Sequence, residues 1–104
     1  MIIQISGQSK ELKFTFNSFK HMGEFDIKEL QTIEQYPFKV IPIVTMLLMG
    51  ALNSDRKTVF TVNQVEDFLE QYMEENSIME LLEELMNKLQ ESGFFKSLQK
   101  IDQA

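Results

Sequence analysis

The sequence predicts an α+β fold, mainly helical, in which an N-terminal β-hairpin packs on a small bundle of about four helices. Three observations carry this. Ile3, Ile5, Leu12, Phe14 and Phe16 alternate with polar residues at the two-residue period of a half-buried strand. Val65, Phe68, Leu69, Tyr72 and Met73, then Ile78, Leu81, Leu82, Leu85, Met86 and Leu89, recur at the three- and four-residue spacing of amphipathic helices. Between these patterns residues 38–52 are apolar almost all round, as a central helix must be. The 104 residues are expected to form one domain, with the hairpin over about 2–16, the helical part over about 18–96 and a frayed tail over 97–104.

In the hairpin, Gly7-Gln8-Ser9-Lys10 has turn composition and separates the two alternating runs. Two strands alone are marginal in water, so their apolar face must lie on helices or extend a neighbour's sheet. Asn17 or Ser18 can cap a short helical turn bearing Phe19 and Met22, with Gly23 as a break. Asp26 and Glu29 mark the start of a short helix carrying Ile27, Leu30 and Ile33, ended by the restriction that Pro37 places on Tyr36. Pro42 is tolerated in a first turn, so the central helix is expected over 41–52 with Asn53 at its end; a start at Phe38 would kink it. Residues 54–60 read as a polar loop. Thr61 and Gln64 then form a capping box, as do Ser77 and Glu80, and Asn76 lies between the two helices, joining them by a tight corner or within one bent helix. The helices over 62–75 and 78–91 are expected to pack on the central one. Gly93 reads as a left-handed stop, after which Phe94 and Phe95 either fold back on the core or meet another chain.

Composition excludes several functions. No cysteine is present, so disulfides, thiolate zinc sites and thiol catalysis are ruled out. The longest apolar run, residues 40–52, is too short for the ~20 residues that a bilayer core requires. MIIQISGQSK reads as a strand and lacks the basic start of a secretory signal. Residues 1–60 carry a net charge of +1 and residues 61–104 carry −7. The acidic half would repel a phosphate backbone, and the other half has no basic stripe for nucleic acid. Its carboxylates fall on helix faces away from the apolar stripes, where they solvate the protein or steer it toward a basic partner. His21 is the single histidine and has no second ligand nearby, and the four glycines are scattered, so neither a metal site nor a phosphate loop is expected. No set of residues supports catalysis, and no cofactor is expected.

What remains is soft apolar surface, with seven methionines and nine phenylalanines in a small chain. Core packing accounts for most of them. A helix apolar on all sides is nevertheless hard to cover with thin amphipathic helices and a hairpin, which leaves Met46, Leu47, Met49 and Leu52, with Leu85, Phe94 and Phe95, as candidate contacts to a client or to further copies.

Four stretches in this order, I-x-I-x-G-x-x-x-x-L-x-F-x-F, MLLMGAL, T-x-x-x-V-E-D-F-L and LLEELMNKLQESGFF, resemble the tail assembly chaperones of long-tailed bacteriophages that infect Gram-positive bacteria. The similarity is closest over 61–96 and clear over 2–16. The resemblance implies a non-enzymatic protein of the host cytoplasm, absent from the mature virion, that binds the helical, aggregation-prone tape-measure protein and keeps it soluble during tail assembly. It implies many copies per client and an open head-to-tail assembly, with the hairpin edge and Phe94-Phe95 as candidate contacts. In this family a longer form is often made by ribosomal frameshifting near the end of the reading frame, which would replace 97–104. The alternative from composition alone is a small acidic regulatory or inhibitor module that binds a basic partner. Salt separates the two, because apolar client binding survives ~0.5 M salt and acidic mimicry does not.

Overall fold

The computed structural model describes residues 1–22, 32–57, 59–93 and 96–97. Two antiparallel strands, β1 (Ile2–Ile5) and β2 (Gln8–Glu11), are followed by a single-turn helix α1 (Phe16–Phe19), a 3₁₀ turn (Pro37–Lys39) and three longer helices, α2 (Val40–Leu52), α3 (Val62–Glu75) and α4 (Ile78–Gln90). The fold is α+β and mainly helical, with the hairpin on a helical bundle. The expected helix start at Asp26 and Glu29, with Ile27 and Leu30, and the break at Gly23 lie outside the described residues.

The hairpin turns earlier than its composition suggests. Ile5 pairs with Gln8, so the loop is only Ser6-Gly7, and both residues take positive φ, 50° and 76°. This is the two-residue loop whose twist matches the strands it joins, and glycine accepts it without steric cost. Gln8, Ser9 and Lys10, expected in the turn, are therefore strand residues. Leu12 and Phe14 still face the core, but beyond the paired segment, with one further rung from the Leu12 N–H to the Met1 carbonyl at 2.9 Å. Phe16 leaves the pattern altogether and is exposed at the start of α1. The cap of α1 is Thr15, not Asn17 or Ser18; its N–H donates to Ser18 Oγ at 2.9 Å.

At the other elements the expectations hold closely. Tyr36, ahead of Pro37, is non-helical, and α2 begins at Val40 with Pro42 in its first turn and Asn53 closing it. Thr61 and Gln64 exchange both capping bonds at 3.2 and 2.8 Å. Ser77 makes half of its box, accepting the Glu80 N–H at 3.4 Å, with no return bond from Glu80 among the described residues. Asn76 and Ser77 are both extended, so the join between α3 and α4 is a tight corner. The stop at Gly93 is a correction: Gly93 takes no left-handed φ, and the Lys96 N–H donates to the Ser92 carbonyl at 3.1 Å.

Helix α2 is the centre, packed against α1, α3 and α4, while α3 also touches β1. Val44, Leu47, Leu48, Ala51 and Leu52 of α2, Val65 of α3, and Leu81 and Leu85 of α4 are wholly covered, and Ile3, Ile5 and Leu12 bring the hairpin onto the same core. Gly50 is the point of closest approach. A Cβ there would meet Met22 Cγ and lie 2.6 Å from Met22 Sδ and 3.3 Å from Phe14 Cε1. Glycine in mid-helix costs about 1 kcal/mol relative to alanine, offset here by seating Met22 and Phe14 directly on the α2 backbone.

Candidate functional site: an open methionine groove on α2

The end of α2 and its flank differ in how their surfaces are satisfied. At the end, Asn53 is wholly buried and clamps the following loop: its Nδ2 donates to the Phe60 carbonyl at 3.1 Å, and its Oδ1 accepts the Phe60 N–H at 2.7 Å. Asn17 Nδ2 donates to the carbonyls of Asn53 and Asp55 at 2.9 and 3.0 Å, and Thr15 Oγ1 donates to the Ser54 carbonyl at 2.5 Å. Lys10, on the core-facing side of β2 opposite Ile3, reaches Asp55 at 2.6 Å and lies 6.0 Å from the Phe60 ring centroid. The expected loop is thus a polar latch that ties hairpin, α1 and α2 together over Phe60, which is itself buried. No buried side-chain nitrogen or oxygen among the described residues lacks a partner. This latch has structural work and no vacancy for a ligand.

The flank of α2 is open. Ile41, Pro42, Thr45, Met46 and Met49 share one face, and with His21, Met22, Val62 and Glu66 they line a groove of about 460 Å³. Ile41 is 42% exposed and Val62 48% exposed, while Met46 and Met49 are half-buried, their side chains packed on the core from one side. Met22, held against Gly50, forms part of the wall, so the close approach inside the core also shapes this surface. Just before the groove, Phe38 is 85% exposed.

The structure divides the candidate contact residues. It brings Met46 and Met49 together at the groove. Leu47, Leu52 and Leu85 have 0% exposure and are corrected to core residues: helical geometry turns Leu47 away from Met46, and Leu52 and Leu85 belong to the same buried cluster. Phe94 and Phe95 lie outside the described residues. Sequence reading missed Ile41, Met22 and Val62 as groove residues. The signal available for Ile41 was its place on the same helical face as Thr45 and Met49, whereas Met22 and Val62 come from other elements and had none.

A second groove, of about 470 Å³, is lined by Ile33 and Glu34 before the 3₁₀ turn and by Met79, Glu80, Leu82, Glu83 and Met86 of α4. Glu80 and Glu83 also border a third, more polar groove with Met1, Tyr72, Glu84 and Asn87. Partial burial, followed by the carboxylates of Glu80 and Glu84, holds the Tyr72 phenol above its ordinary range. Among the described residues no group of three His, Asp or Glu side chains is placed to hold a metal ion, and His21 faces the apolar groove. No described helix is long and apolar enough to cross a membrane. No protein-family model, curated protein or solved structure matches the chain.

Proposed function

We propose that this protein is a tail assembly chaperone of a long-tailed bacteriophage, which masks the apolar faces of the tape-measure protein by stoichiometric binding, without turnover or cofactor. The observation that carries this reading is the open groove on α2, in which Ile41, Met46, Met49 and Val62 offer apolar surface while the core beneath is already complete. A client helix laid into it would bury side chains spaced three and four residues apart, the usual way a groove reads an amphipathic helix. Methionine suits that task, because its unbranched, polarisable side chain adapts to the irregular sequence of a long client. The carboxylates of α3 and α4 face water, which keeps a coated client soluble. Many copies coat one client in an open head-to-tail assembly, in the cytoplasm of the infected host.

The test is co-expression with the tape-measure protein of the same phage, followed by capture of this chain in ~0.5 M salt, where charge screening acts over a few ångströms. The expected result is a client that is soluble only in the presence of this chain and is recovered with several copies of it. A client that stays insoluble, or a complex that dissociates in that salt, overturns the reading; salt-released capture of basic proteins would instead favour an acidic inhibitor module.

A further inference from the structure

A second binding surface, chemically different from the α2 groove, lies along α4. Met79, Leu82 and Met86 fall at i, i+3 and i+7, one seam of that helix, and Ile33 closes the seam from the other side to make the groove of about 470 Å³. Its floor is soft and apolar: Met79 is 50% exposed, Met86 half-buried, and Leu82 and Ile33 are anchored in the core. Its rim is anionic on both sides. Glu34 stands beside Ile33, Glu80 and Glu83 stand along α4, and all three are exposed. The one ion pair found among the described residues is Lys10 with Asp55, so none of these three carboxylates is neutralised there. The local field is registered by Tyr72, on the far side of Glu80, whose phenol is held up by burial and by the Glu80 and Glu84 carboxylates.

We infer that the groove between Ile33 and α4 is a docking site for an amphipathic helix of a partner protein that carries apolar anchors at three- and four-residue spacing, flanked by lysine or arginine. The apolar floor would bury the anchors, and the two acidic rims would receive the flanking cations, which selects against acidic helices of equal hydrophobicity. Among the described residues, Glu66 is the only carboxylate on the lining of the α2 groove, which does not make that selection. The chain therefore offers two faces: one that accepts apolar helices broadly and survives salt, and one that requires basic flanks and is weakened by it.

The experiment titrates the full chain carrying M46E/M49E, which closes the α2 groove to apolar helices, with two synthetic amphipathic helices of the same pattern, one built from leucine and lysine, the other from leucine and glutamate. The leucine–lysine helix should bind and its affinity should fall with salt, while the leucine–glutamate helix should bind at least about tenfold more weakly. In that background, replacing the rim by E34Q/E80Q/E83Q should weaken the leucine–lysine helix by about tenfold, whereas the same number of changes on α3, E66Q/E70Q/E74Q, should leave it bound. Equal binding of both helices, or equal loss in the two triple-glutamine variants, overturns the inference. None of these results bears on capture of the tape-measure protein, which is read separately in high salt.

Discussion

The two surfaces that α2 presents teach opposite lessons. Around Asn53 every buried polar side chain among the described residues is engaged, and segments distant in sequence are tied to one point. Along Ile41, Met46 and Met49 the same helix leaves apolar side chains half covered. A small chain gains from burying everything it can, because its stability is marginal. The contrast is the basis of the function proposed above: where the polar bonds converge the fold is holding shape, and the methionines left at the surface are where we propose that a client docks.

The largest expected effect comes from breaking the covered side. Leu47→Ala or Leu85→Ala removes a wholly buried side chain and should cost about 2–5 kcal/mol in urea unfolding. Asn53→Ala should approach this, at about 2–4 kcal/mol, because it leaves the N–H and carbonyl of Phe60 buried without partners. Any of these three variants unfolding with the wild-type midpoint would show that its part of the core or latch is misplaced. By contrast M46E/M49E on the open side should change stability by only about 1 kcal/mol while abolishing client capture.

Gly50 joins the two sides and sharpens the comparison. Gly50→Ala should destabilise by about 1–2 kcal/mol despite alanine's better helix propensity, because Met22 has to move. In a double-mutant cycle with Met22→Ala most of that cost should disappear. An additive pair would mean that Met22 is not seated on Gly50 and that the groove wall is built otherwise. Lys10→Ala should cost less, about 0.5–1 kcal/mol, since Asp55 is 38% exposed and solvent already screens the pair.

The smallest effect is a titration. With Tyr36 replaced by Phe, Tyr72 should ionise above the ordinary tyrosine range, and E80Q/E84Q should lower its pKa part of the way, leaving the contribution of burial. The folded state holds this proton longer than the unfolded state, so the associated stability is present below pH 10.0 and is lost as pH rises through the folded-state pKa. An unchanged pKa in E80Q/E84Q would remove the carboxylates from the explanation.

The helices were legible in the sequence because their signals are local. Thr61 with Gln64, Ser77, the leucine stripe of α4 and the limit that Pro37 and Pro42 set on α2 are all contained within a few residues. The hairpin register was less so: the alternation of Leu12 and Phe14 was real, but it belonged to the exit from the sheet, while polar Gln8–Glu11 made the strand. The latch was not legible, because Asn17 and Lys10 meet their partners only across 36 and 45 residues, and the clamp of Asn53 on Phe60, seven residues on, follows no local pattern. The site was half legible for the same reason. A run such as 46–52 announces an apolar helix, yet which side remains open depends on where α1, α3 and α4 land. That is why Met46 and Met49 line the open groove while Leu47 and Leu52 lie in the core.

The most direct test of the central claim is a methyl spectrum of the full chain, with methionine methyl groups labelled and assigned, recorded as a tape-measure segment is added in ~0.5 M salt. The account predicts that Met22, Met46 and Met49 shift together and saturate at one ratio, while Met73, on the outer face of α3, stays in place. Binding that shifts Met73 or Met79 and leaves Met46 and Met49 untouched would contradict it.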